Sequence, residues 1–153
     1  MKTVRLTLVD VPVAVLLRSL RHSDDLVREL TLAAMNRPDD NERMRLVTTA
    51  ERLNGYGTAT RDMTFQSIRR ATERGEDSIT LEFNAPDETA TVTEEWGQLC
   101  QELDDFARSG GLLTLPAVPD VAALRRWVVR ETVGQLRDGA APVPWGDYQA
   151  TGS

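Results

Sequence analysis

Cysteine, histidine and lysine each occur once, at Cys100, His22 and Lys2, and each scarcity removes a class of chemistry. A lone cysteine excludes an internal disulfide. With one histidine and no C-x-x-C pair, the usual Cys/His zinc sites cannot be assembled. A hydrolytic triad has only His22 to draw on, and no G-x-S-x-G elbow supplies a nucleophile. No apolar run approaches the roughly 20 residues of a membrane span, and the start MKTVRLTLVD lacks the apolar core of a signal peptide, so a cytoplasmic protein with no membrane partner is expected. The formal net charge of −6 argues against nucleic acid as a partner, since phosphate neutralisation needs a clustered cationic face. Of the 18 basic residues 17 are arginine, a bias that points to a GC-rich bacterial genome.

What the chain has in quantity is helical periodicity. In VPVAVLLRSLRHSDDLVRELTLAAM (11–35), a step of about 100° per residue gathers Val13, Leu16, Leu20, Val27, Leu30 and Ala34 on one arc, the stripe of a packed helix. Asp10 as a capping residue and Pro12 in the first turn suit its start. Asn36-Arg37-Pro38 suits its end. Ser23 and Asp24 interrupt the apolar seam, so they must be hydrogen-bonded, reach the surface or meet a partner. Left dry and unpaired, each costs about 1–3 kcal/mol.

The turn Pro38-Asp39-Asp40-Asn41 opens a second helix, in which Leu46, Ala50, Leu53, Gly57, Thr64, Ile68 and Ala71 share an arc. Asn54-Gly55-Tyr56-Gly57 leaves two readings, one helix over 42–74 or two joined at the glycines. Either makes a hairpin with the first helix. Val4 to Val9 is a short strand or an extended lead-in. Ser78 to Asn84, SITLEFN, alternates as a strand should. A third helix is expected from Pro86 to about Arg108, with Val92, Trp96, Leu99, Cys100, Leu103 and Phe106 inward, closed by Ser109-Gly110-Gly111. Leu112 to Leu115 suggests a short strand, and Pro119-Asp120 a last helix, 121–137, carrying Leu124, Trp127, Val128, Thr132 and Leu136. The expected fold is mainly α, a four-helix bundle built on a long N-terminal helical hairpin, with one or two short β-strands. Its organisation is one domain over 1–138, with the hairpin at 10–75 and a C-terminal lobe at 76–138, followed by a flexible tail at 139–153 in which Trp145 docks locally.

Candidate chemistry centres on RHSDD. A rim histidine on one helix of a hairpin, with carboxylates nearby, is the arrangement a phosphotransfer helix uses, because an exposed neutral imidazole can attack an acyl phosphate. Ser23 separates His22 from Asp24, and no nucleotide-binding glycine box is present, so the phosphoryl group would come from another protein. The alternative is a surface histidine held by Glu29 or Asp25. The NGYG glycines follow a helical pattern and lack a Lys-Ser/Thr ending, which makes them a packing notch rather than a phosphate loop; a third reading places a small-ligand pocket between the helices near Gly55 and Gly57. Asp24, Asp25, Asp39, Asp40 and Glu42 contain no D-x-D-x-D-G pattern and read as solvated surface. Neither metal nor cofactor is expected.

The segment LLTLPAVPDVAALRRWVVRETVGQL (112–136) resembles the opening strand and helix of anti-sigma-factor serine kinases of the GHKL ATPase class. Leu112 to Leu115 stand for the strand, Pro116 to Pro119 for the proline turn, and Arg125, Arg126 and Trp127 for the helix centre. The chain ends where the asparagine-bearing helix and glycine-rich lid of that ATPase would follow, so the resemblance implies shared ancestry or association rather than ATP hydrolysis. The whole chain is similar to small helical proteins of arginine-rich bacteria that accompany STAS and anti-sigma modules. This implies a non-enzymatic signalling protein with a protein partner, a STAS or anti-sigma component. The recognition face read from the first helix is Arg18, His22, Asp25 and Glu29, a charge-mixed surface suited to reversible association. A homodimer is expected to bury the remaining apolar edge.

Overall fold

The structure, a computed structural model, describes residues 3–37 and 39–151, and the side chains of all of these except 55 and 57–59. It is mainly helical with one two-stranded antiparallel sheet. The elements run β1 (Thr3–Pro12), α1 (Val13–Asn36), α2 (Asn41–Arg74), β2 (Ser78–Pro86), α3 (Thr89–Arg108), α4 (Pro119–Asp138) and α5 (Trp145–Ala150).

β1 is longer than the sequence suggests, because Asp10 does not cap a helix. Its φ is 59°, and the strand register slips between Leu8, opposite Leu81, and Val11, opposite Ile79. Val9 and Asp10 thus span what Thr80 spans alone, a β-bulge, and aspartate is among the residues that tolerate left-handed backbone. The strand continues to Pro12. α1 then starts at Val13, whose N–H donates to the Asp77 carbonyl at 2.9 Å.

α2 is a single helix through the Asn54-Gly55-Tyr56-Gly57 stretch, which settles the choice between one helix and two. Asp40 caps it by accepting from the Arg43 N–H at 3.2 Å. The Arg43 N–H above all, joined by its guanidinium, holds the Asp40 carboxyl below its ordinary value against the opposing effect of desolvation. At the other end Gly75 takes φ 70°, and the Glu76 N–H reaches back to Ala71 while the Gly75 N–H reaches Thr72, the paired bonds of a Schellman close. Leu46, Ala50, Leu53, Thr64, Ile68 and Ala71 are buried along one face as the arc requires.

Pro86 ends β2 rather than opening α3, and 112–115 is irregular rather than a strand. α5 buries Trp145 and Tyr148, with Trp145 edge-on to the fully buried Trp127 at 5.6 Å between centroids and stacked on Tyr148 at 5.8 Å. Two core clusters result. One joins the sheet, α4 and α5 to the near ends of α1 and α2. The other joins Leu26, Leu30 and Ala34 of α1 to Leu46, Val47, Ala50 and Leu53 of α2 and to Leu99, Leu103 and Ala107 of α3.

Buried polar groups on α4 fasten the strand and the C-terminal segment. Gln135 accepts from the Thr7 N–H at 2.9 Å and donates to the Thr7 carbonyl at 2.8 Å. Val143 is gripped at both its backbone groups: its N–H donates to Glu131 at 2.7 Å, and its carbonyl accepts from the Trp127 indole at 3.0 Å. We predict that Glu131→Ala, which strands the Val143 N–H, costs about 1–3 kcal/mol of stability. Urea unfolding should show a lower midpoint at an unchanged slope.

Candidate functional site

Arg18, His22 and Glu29 lie one to two turns apart on α1; the connection between α3 and α4 engages His22 and Glu29, and the first turn of α4 engages Arg18. Glu29 accepts from the N–H of Leu113 and, at 2.7 Å, from that of Thr114. His22 Nε2 meets the Leu115 carbonyl at 2.7 Å, and Arg18 pairs with Asp120. Asp104 on α3 takes the Ala117 N–H at 3.1 Å from the other side. The loop 112–118 is therefore strapped along α1. Asp25 stands apart, paired at 3.5 Å only with the exposed Arg28.

The strap is anchored by a residue that sequence reasoning assigned to a resemblance rather than to a site. Arg125 of α4 is 5% exposed. Its Nε donates to Ser19 Oγ (3.2 Å), and its Nη2 lies within bonding distance of the Ser19 carbonyl (3.0 Å), Ser23 Oγ (2.9 Å) and His22 Nδ1 (3.0 Å). A guanidinium can only donate, so Nδ1 accepts and the ring proton sits on Nε2, where it is given to Leu115. His22 is thus held by Arg125 and the loop rather than by Glu29 or Asp25, and neither ring nitrogen presents a free lone pair. Ser23, which breaks the apolar seam of α1, does so to meet Arg125. Asp24 meets Arg61.

A signal for Arg125 was present in the sequence. It falls four residues after Val121 and three before Val128, on the arc that helical spacing assigns to the core. Asp104, four residues after Cys100 and buried, follows the same pattern. Burial pushes the Cys100 thiol up to about 11, with nearby Arg125 opposing and Asp104 adding to the shift, so the thiol is protonated and neither a nucleophile nor a ready metal ligand near neutral pH. Among the described residues no group of three or more histidine, cysteine, aspartate or glutamate side chains converges as a metal site would require. The ligand pocket expected near Gly55 and Gly57 lies outside the described side chains. A cleft of about 330 Å³ lies elsewhere, lined by Glu42, Arg45, Glu102, Asp105, Phe106 and Ser109.

The loop leaves α3 through Gly110, at φ 83°, and Gly111, where an added Cβ would lie 2.7 Å from the Phe106 ring. Arg43 stacks over that ring at 5.0 Å and donates to the Gly111 carbonyl at 3.2 Å. Both ends of the connection are therefore fixed, and so is its middle. Its side chains are disposed unevenly: Leu112 is buried, whereas Leu113 is 94% and Leu115 78% exposed, with Val118 also exposed. The arrangement presents apolar side chains on an immobilised backbone.

Desolvation alone would raise the Glu29 carboxyl, but the hydroxyl and N–H of Thr114 and the N–H of Leu113 outweigh it and hold its pKa below the ordinary 4.5. Because the folded value is the lower one, the stabilisation is complete above 4.5 and is lost as pH falls through the folded value. Limited proteolysis within 112–118 should accelerate over that acid range. Glu29→Ala should give the acid behaviour at neutral pH with a loss of about 1 kcal/mol, and an unchanged cleavage rate would contradict the assignment. Comparison with protein families, with curated proteins and with solved structures finds no match to this chain, so the functional reading rests on its own geometry.

Proposed function

We propose that this is a non-enzymatic bacterial regulatory protein that acts by protein–protein contact in a signalling or partner-switching pathway, with a STAS or anti-sigma component as partner. The observation that carries the reading is the strapped loop. Leu113 and Leu115 are held in water by a backbone that Glu29, His22 and Asp104 fix in place. Such exposure gives the chain's own fold nothing, whereas a pre-organised apolar loop lowers the ordering cost of association. The first-helix residues Arg18, His22 and Glu29 take part by setting the loop, and Asp25 stays at its border as a direct polar contact.

The architecture supports the same reading. Four long helices form the bundle, with α1 and α2 as the hairpin that carries the loop. Leu32 and Met35 on α1, exposed at 55% and 73%, with Met44 on α2, supply the apolar edge of a homodimer. Among the described residues no helix is long and apolar enough to cross a membrane, in keeping with a cytoplasmic role.

The test is a double substitution, Leu113→Ser with Leu115→Ser. Both side chains are exposed, so thermal unfolding should move little. Titration of a purified STAS domain or anti-sigma kinase against the wild type should give saturable binding that the double variant loses. Equal binding by both proteins would remove the loop from the interface, and no binding by the wild type would remove the proposed partner class.

A further inference from the structure

The two edges of the sheet are unlike. Thr7 directs both its N–H and its carbonyl to the Gln135 side chain, so both point away from β2, and Thr7 opposite Glu82 is a non-hydrogen-bonded pair of the ladder. Strand alternation then turns the backbone groups of Glu82, and of Thr80 and Asn84 to either side, away from β1. Among the described residues nothing bonds these outward groups. The one bond at Thr80 is made by its hydroxyl, which accepts from the Asp10 N–H at 3.4 Å. α4 and α5 lie against β1, while α2 lies beside β2.

Between the last turns of α2 and the start of β2 runs an open cleft of about 220 Å³, with Arg70, Ala71 and Arg74 on the helix side and Ile79 and Thr80 on the strand side. Arg70 and Arg74 are one turn apart and exposed. Neither they nor Arg69 forms an ion pair among the described residues, whereas nine other arginines do. The nearby carboxylates, Glu73, Glu76 and Asp77, do not come within pairing distance of them. Two unpaired cations, Arg70 and Arg74, thus line the cleft beside the unpaired strand edge, with Glu76 as its one carboxylate.

We propose that an extended, acidic segment of a partner protein adds to β2 as a third strand, hydrogen-bonded to the outward groups of Thr80, Glu82 and Asn84, with its carboxylates on Arg70 and Arg74. Main-chain bonds supply the affinity and the arginines the selectivity, the usual division in strand addition. A second copy of this chain fits less well. Pairing β2 with β2 brings the arginines of both α2 helices to one seam, and each copy must accommodate the other's helix beside a cleft of about 220 Å³. This surface is separate from the loop 112–118.

The probe is a fluorescein-labelled, acetylated hexapeptide of alternating glutamate and valine, titrated into the full chain by anisotropy. Saturable binding is expected, weakened by about tenfold or more in Arg70→Glu with Arg74→Glu and steeply dependent on salt. The same peptide N-methylated at alternate amides, which cannot donate to the edge, should not bind, and the Leu113 and Leu115 double variant should bind like wild type. Both arginines are exposed, so circular dichroism should show the charge-reversed protein folded. Equal binding of the N-methylated peptide, no binding up to about 1 mM, or an edge found by sedimentation to be occupied by a dimer that Glu82→Pro disrupts would each overturn the proposal.

Discussion

Much of the molecule depends on where one guanidinium is placed. Arg125 is taken out of water with no carboxylate in pairing distance among the described residues, which for an isolated charge is among the costlier things a fold can do. What offsets the cost is a set of neutral acceptors on α1: the Ser19 carbonyl and hydroxyl, the Ser23 hydroxyl and His22 Nδ1. Hydrogen bonds to a charged donor are stronger than neutral ones, and these join α1 to α4 at one rotational setting. The setting has a further effect. Fixing Nδ1 as acceptor fixes Nε2 as donor, so the loop carbonyl of Leu115 is held at second hand by Arg125.

α4 repeats this device along its length. Arg125 secures α1, Trp127 and Glu131 secure the backbone of Val143, and Gln135 secures Thr7. The backbone groups of Thr7 and Val143 that sheet and helices leave without partners are thereby satisfied by side chains of one helix, which keeps them from being stranded. Apolar packing accounts for why the helices cluster, with Trp127 fully enclosed at the centre. The polar groups account for why the irregular parts have single positions.

Helical periodicity made most of this architecture readable. The stripe of α2, the alternation of 79–83 and the glycine stop at Gly110 are local signals that stand in the structure where spacing puts them, and on α1 the stripe holds at Val13, Leu16, Leu30 and Ala34, with Leu26 buried where Leu20 and Val27 are only half-buried. The misreadings share a cause, since each depended on tertiary pairing. Asp10 looks like a helix cap and is a bulge, because the strand partner that forces the extra residue lies seventy positions away. Pro86 looks like a helix opener and ends a strand for the same reason. The stretch after 138 shows no periodicity, yet Trp145 and Tyr148 find their burial against α4 and β1. For the site, the polarity of the first-helix residues is legible, but Glu29 and the Nε2 of His22 meet backbone groups of a distant loop, which carry no residue signature. Arg125 and Asp104 were legible as charges on apolar arcs, a conflict between pattern and chemistry of the kind that marks constrained positions.

The capping of Thr7 by Gln135 has a consequence for assembly symmetry. A sheet with two free edges is a two-ended template: the exposed side of one copy can receive the opposite side of the next, and head-to-tail addition continues without closure. Here one end of the template is occupied from within the same chain. Two copies of this chain could still meet through β2, but neither would then have a second sheet edge to offer a third. The cover that α4 and α5 lay over β1, with Gln135 on Thr7, thus limits self-addition through the sheet to a pair.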